Sequence, residues 1–342
     1  MKKHIFIGAA LLAILAVSCD KADVPSSEPA AKGVPMTLTA TIVSADTKVD
    51  VVDDETNKVL KCNWEVGDKV SVISLDASNN VLANDIFDAT AAGKTAAFNG
   101  TFTGGSAARV VVIYPALTGG IGSGSLSTDK WHSDPSHNGT YISVGILQGV
   151  TKSYNAMQLT TSYYLQRVLN SAEHLENYLV MSGEADMTDL STNKLTVNLV
   201  HRTAVLKVKL TLPASGKTIK RVTVFANKAD ATDFKYVKYG WLTFETITST
   251  FYGNDSSNNM SMNLGASIEG GNGSGLTVSG TTATVYIPFV PNGDTGEVTF
   301  NSGDKLTVRV LYSSTESVNK ELVFSSAKTV QAGKLYTINA SY

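Results

Sequence analysis

Polar and apolar residues alternate at period two from the start of the long central region, in Thr37-Leu38-Thr39-Ala40-Thr41-Ile42-Val43. Successive side chains of a strand point to opposite faces, so this alternation predicts a β-strand with one face buried. The pattern returns in residues 69–75, 195–200, 206–212, 221–225, 284–290, 306–310 and 335–342. Residues 109–114 are continuously apolar after Arg109, which predicts a strand covered on both faces. Turn-forming clusters separate the runs: Asn79-Asn80, Gly104-Gly105, Gly119-Gly120, Asn292-Gly293-Asp294 and Ser302-Gly303-Asp304. Many short strands punctuated this way predict an all-β sandwich or barrel arrangement. One stretch differs. Leu165, Val168, Leu169, Ala172, Leu175 and Leu179 fall at helical spacing, which predicts one short amphipathic helix within residues 162–178.

Composition sharpens this picture. Thr occurs 37 times and Ser 34 times in 342 residues, a hydroxyl-rich makeup that suits pleated surfaces and turns better than long helices. The hydrophobic share of 43% is enough to fill a core, so the chain is not disordered throughout. The length suits about two domains. The polar stretch 183–193 is the natural divide, giving an N-terminal domain at 36–186 and a C-terminal domain at 187–342. A net charge of −2 argues against nucleic acid as a partner, since phosphate binding needs a basic surface. Two cysteines supply neither a disulfide scaffold nor a Cys-rich zinc site.

The first residues concern location. Lys2 and Lys3 precede an apolar run from Ile5 to Val17, too short to span a bilayer, and Ser18-Cys19 follows. Residues 1–18 read as a lipoprotein signal peptide and Cys19 as the site of lipidation. The alternative is an ordinary signal peptide that ends beside a cysteine. Residues 19–35, rich in Ser, Pro, Ala and Lys, form a flexible tether. Cys62 is then a lone thiol, expected to act as a small buried hydrophobe.

Candidate chemistry is sparse. His132, Asp134 and His137 cluster in a polar loop that lacks a helix or ribbon to aim metal ligands. His174, near Glu173 and Glu176, reads as part of a solvated helix face, and His201 as a core or edge residue. The glycine run at 119–125 lacks the Lys-Ser/Thr pair and helix start of a phosphate loop. Asp53-Asp54-Glu55 sits among polar residues that would not shift a carboxyl pKa. The expectation is therefore no enzyme activity, no cofactor and no metal. Trp131, Tyr141, Tyr163, Tyr164 and Trp241 offer ring faces for sugars, which leaves a surface glycan-binding lipoprotein as the second reading.

Six separated words occur in a telling order. They are Trp64-Glu65-Val66-Gly67-Asp68-Lys69-Val70-Ser71-Val72, Phe98-Asn99-Gly100-Thr101-Phe102, Ile113-Tyr114-Pro115-Ala116, His201-Arg202-Thr203-Ala204-Val205-Leu206-Lys207-Val208, Tyr286-Ile287-Pro288 and Ala332-Gly333-Lys334-Leu335-Tyr336-Thr337-Ile338. With the lipoprotein signal they resemble the fimbrillin family, the type V pilins of Bacteroidales-type surface fimbriae. The resemblance implies two tandem transthyretin-like β-sandwich domains and a precursor lipid-anchored at the outer membrane. It also implies proteolytic removal of the first strand and refilling of the groove by a strand from another fimbrial subunit, in an extracellular fimbrium that contributes to adhesion to host or bacterial surface glycans or proteins. The removable strand would be Thr37 to Val43, an edge strand of its sandwich. The candidate donor is the C-terminal run Leu335, Tyr336, Thr337, Ile338, Asn339, Ala340, Ser341 and Tyr342. The chain departs from the pattern in having no arginine before Arg109. Either a lysine-tolerant protease cuts at Lys48, or the subunit stays uncut as an anchor or accessory.

Overall fold

The computed structural model describes residues 33–43, 52–54, 59–78, 81–116, 126–127, 141–144, 164–177, 179–227, 236–237, 240–243, 251–253, 256–257, 259–265, 273–289, 291 and 297–342. Its main strands in the first half are β1 (Val34–Ile42), β2 (Lys69–Leu75), β3 (Val81–Ala89), β4 (Thr95–Phe102), β5 (Arg109–Tyr114), β6 (Met181–Asp186) and β7 (Lys194–His201). In the second half they are β8 (Ala204–Thr211), β9 (Arg221–Asn227), β10 (Asn259–Leu264), β11 (Thr282–Phe289), β12 (Glu297–Phe300), β13 (Lys305–Leu311), β14 (Ser317–Val323), β15 (Lys328–Gln331) and β16 (Leu335–Ser341). The protein is all-β, as the period-two alternation predicts.

In the first half, hydrogen bonds run around a closed ring in the order β1-β7-β6-β5-β2-β3-β4 and back to β1. Its interior holds Met36, Leu38, Phe87, Phe98, Val110, Val112 and Leu195, and also the buried thiol of Cys62. The second half is a sandwich. A sheet formed by Tyr164–Gln166, β10, β9, β13 and β14 and a sheet in the order β11-β8-β16 share one apolar core. The continuously apolar β5 is covered on both faces. Val110 and Val112 point into the ring, while Val111 and Ile113 join the core of the second half together with Ile73 and Leu75 of β2.

Three expectations are corrected. The residues at helical spacing form no α-helix: Tyr164–Gln166 is a strand parallel to β10, and Glu173–Asn177 is a 3₁₀ turn. Asn170 between them has φ of 62°, a left-handed conformation that a helix interior does not admit. The apolar side chains serve two cores, Leu169 packing on the second and Ala172, Leu175 and Leu179 on the first. The polar stretch 183–193 is likewise no linker. Residues 183–186 belong to β6 and 187–193 connect it to β7, so the ring continues to His201, past a boundary at 186. Finally, β1 is an internal strand rather than an edge.

Candidate functional site

β1 is the strand to which the sequence assigned exchange. It starts three residues before Thr37, at Val34, and ends at Ile42, leaving Val43 half-exposed beyond it. On one side it runs antiparallel to β4, with Leu38 opposite Phe98 and Ala40 opposite Ala96. On the other it runs parallel to β7, with Leu38 opposite Leu195 and Ala40 opposite Val197. Two ladders follow from ring closure, since a closed sheet has no edge. Met36, Leu38, Ala40 and Ile42 are buried, while Thr37, Thr39 and Thr41 face outward. The Thr37 hydroxyl donates to Asn99 Oδ1 at 3.0 Å, and the Thr41 and Thr95 hydroxyls lie 2.9 Å apart. Lifting β1 out would leave an apolar slot bordered by two rows of unpaired backbone groups.

The first three sequence words converge on this strand. Trp64 is fully buried and its Nε1–H donates to the Ala40 carbonyl at 3.1 Å. The indole meets Phe98 and Tyr114 edge-on, with centroids 5.0 and 5.2 Å apart, a favourable arrangement for aromatic quadrupoles. The rest of the first word builds the turn that holds it. Gly67 has φ of 94°, the Glu65 N–H donates to Asp68 Oδ2 at 2.8 Å, the Gly67 N–H donates to the Ala89 carbonyl at 2.9 Å, and the Ala89 N–H donates to the Asp68 carbonyl at 2.7 Å. Burial raises the Asp68 carboxyl above its ordinary pKa. In the second word, Gly100 admits no side chain, because a Cβ there would lie 2.3 Å from the Phe87 ring.

The last three words form the other cluster. They are the three neighbouring strands of one sheet: β8 pairs antiparallel with β11, Leu206 opposite Ile287, and parallel with β16, Leu206 opposite Tyr336. Gly333 N–H donates to the Thr203 carbonyl at 2.8 Å. Arg202, which the sequence reading did not single out, is buried with its Nε–H on Ser182 Oγ at 2.8 Å, and burial lowers its pKa to about 10. No spacing signal marked it, since a buried arginine is recognised only by its surroundings. His201 is buried at the end of β7.

The outer edge of β11 is sealed by side chains. Gln166 Oε1 accepts the Tyr286 N–H at 3.0 Å, and its Nε2 donates to the Thr284 carbonyl at 3.2 Å. Asn170 Oδ1 accepts the Thr284 N–H at 2.7 Å. His174 Nε2–H donates to the Tyr286 carbonyl at 3.0 Å, so His174 faces inward instead of lying on a solvated face, and burial lowers its pKa to about 4. Among the described residues β16 has one ladder, to β8. Beside it runs a groove of about 620 Å³, lined by Phe289, Val298, Phe300, Phe324, Val330 and Tyr336 among others.

Cys19, Lys48, Trp131, His132, Asp134, His137 and the glycine run at 119–125 lie outside the described residues. Asp53 and Asp54 fall in the short strand Val52–Asp54, and Trp241 in Gly240–Thr243. Among the described residues no three His, Cys, Asp or Glu side chains group as metal ligands would.

No family model and no curated protein matches the chain. Among solved structures it is similar to a candidate cell adhesion protein from Bacteroides ovatus, with 14% identity over 90% of this chain and 92% of that one and a TM-score of 0.42. It is similar to another from Bacteroides uniformis, with 14% identity, coverage of 90% and 93% and a TM-score of 0.38. A third is the fimbrial anchor protein Mfa2 from Porphyromonas gingivalis, with 9% identity, coverage of 85% and 83% and a TM-score of 0.27.

Proposed function

We propose that this chain is a structural subunit of a cell-surface fimbria. It is made as a precursor lipidated at Cys19 and held at the outer membrane. A cut at Lys48 separates β1 from the rest of the chain, and a strand from a neighbouring subunit takes its place in an extracellular fibre that contributes to adhesion. The role is mechanical and non-catalytic. One observation carries the reading: β1 is the first strand among the described residues and is seated between two others, so a single cut after it leaves it held by non-covalent contacts alone. Its loss exposes both β4 and β7 and the apolar floor between them. An incoming strand satisfies all three along its length, which makes refilling strongly favourable. Lys48 follows Ile42 by six residues in the sequence.

Limited trypsin treatment of the lipid-free protein tests this directly. Clipping after Lys48 should convert a monomer into a ladder of SDS-resistant multimers. A clipped protein that remains monomeric overturns the polymerising role. On cells, Val49 as the mature N-terminus supports cleavage, whereas a modified Cys19 on the assembled protein marks an uncut anchor or accessory subunit.

A further inference from the structure

Resting on the adhesive part of that reading, and not on strand exchange, we propose that the outward face of the sheet β10-β9-β13-β14 binds an acidic polysaccharide. Its sugars carry carboxylates, and Arg309 is the anchor. In this sheet Val222, Val224, Leu306, Val308 and Val310 point into the shared core. Period two therefore sets Arg221, Thr223, Phe225 and Asn227 of β9, with Lys305, Thr307 and Arg309 of β13, on the other side. The register arranges them in rows. Thr223, Arg309 and Asn319 lie side by side, and so do Phe225, Thr307 and Glu321.

Arg309 is exposed yet held in place. Its Nε–H donates to Asn319 Oδ1 at 3.1 Å, and its guanidinium carbon lies 4.7 Å from the centroid of the Phe225 ring. Both partners are neutral, and the two terminal nitrogens bond nothing among the described residues. Arg109, by contrast, has its fork closed by the Glu184 carboxylate. A guanidinium fork left open and already oriented meets a carboxylate through two parallel N–H···O bonds, with part of its rotamer freedom lost beforehand.

Charge indicates what that fork receives. Among the described residues of this face Arg221, Lys305 and Arg309 stand against one acid, Glu321, which Lys305 holds at 2.9 Å. The face is thus positive on a chain whose formal charge is −2, and it draws anions. Arg221 is a diagonal neighbour of Arg309 and is likewise braced by an amide, its Nε–H donating to Asn263 Oδ1 at 2.8 Å. Such neighbours stand about 7–8 Å apart, so a bound carboxylate relieves repulsion between two like charges. The groups alongside select sugars over an acidic peptide. Asn319, Asn227 and Thr307 both donate and accept, as sugar hydroxyls require, and Asn227 Nδ2 lies 3.2 Å from Thr307 Oγ1. β9 and β13 are paired on both sides, so the face offers an extended peptide no backbone to pair with.

Affinity electrophoresis of the uncut Cys19→Ser chain tests the site, in gels containing polygalacturonate, hyaluronate or neutral dextran. One or both acidic polysaccharides should retard the chain, and dextran should not. Arg309→Ala should raise the apparent Kd at least tenfold. Arg309→Lys keeps the charge but loses the fork and should raise it at least threefold. Lys194→Ala removes the same charge from an exposed position on the ring and should change it less than twofold. Retardation in neither acidic gel overturns the proposal. It is overturned equally if Arg309→Lys binds as tightly as the parent, if Lys194→Ala weakens binding as much as Arg309→Ala, or if poly-glutamate competes as well as the polysaccharide at equal charge, since each reduces binding to net charge. The trypsin ladder reads strand exchange separately, so failure of either leaves the other standing.

Discussion

In the first half seven strands close on themselves and β1 has a hydrogen-bonded neighbour on each side, whereas the sheet β11-β8-β16 of the second half keeps two outer edges. Those edges are handled differently. β11 is capped by Gln166, Asn170 and His174, whose side chains take the bonds a further strand would make. β14, at the edge of the opposing sheet, carries Lys320 and Glu321. Among the described residues β16 has neither device, and it borders an apolar groove. Closure, capping and charge are separate solutions to unpaired strand edges.

Four perturbations break or sharpen this contrast. The largest effect is expected for Trp64→Ala, which removes a fully buried indole and the bond holding Ala40, at a cost of about 3–5 kcal/mol in urea unfolding. Amide exchange across β1 should accelerate in the same variant. A cost near that of a surface substitution would show that closure does not depend on the aromatic cluster.

Gln166→Ala should cost about 1–3 kcal/mol, because it strands buried backbone groups of β11. It should also raise self-association in sedimentation, since an edge is uncovered. Unchanged association would mean that Gln166 is not a guard.

The next effect is in pH. With His174 held near 4 against an ordinary 6.5, the unfolded chain binds a proton between those values that the folded chain does not. Stability should therefore be full above 6.5 and fall as pH drops toward 4, by at most about 1.4 kcal/mol per pH unit. Unfolding measured at a series of pH values checks this, and His174→Leu should flatten that part of the slope.

The smallest effect belongs to the ion pair on the outside of the ring. Arg109 bonds Glu184 through Nε and a terminal nitrogen at 2.9 and 2.8 Å, and the pair raises the arginine pKa and lowers the glutamate pKa. Because both groups touch solvent, Arg109→Ala should cost only about 0.2–1 kcal/mol in thermal unfolding. A larger loss would assign ring closure to surface charge instead of packing.

How far the sequence carried is clear from particular residues. Period two revealed β1, β2, β7, β8, β9, β11, β13 and β16 but not β3, β4, β6, β10 or β14, and the apolar run of β5 revealed a strand buried on both faces, because burial acts directly on residue choice. The six sequence words were legible as words, but their meeting in two clusters was not, since contacts between Trp64 and Ala40 or Thr203 and Gly333 depend on topology. The segment 164–179 misled for a related reason. Gln166, Asn170 and His174 recur every four residues, as on a helix, yet what sets that spacing is the backbone of β11. Whether β1 was internal or terminal in its sheet lay beyond any local pattern, because it is decided by β7, about 150 residues away.

The parallel alignment of β1 with β7 has one more consequence. Under the proposed exchange, a substitute strand travelling in the direction of β1 would lie with its N-terminal end at Val34 and its C-terminal end at Ile42. Under that proposal every addition repeats the same sense of approach. Contacts of this head-to-tail kind do not satisfy each other in pairs, and growth with a fixed arrow is their natural outcome.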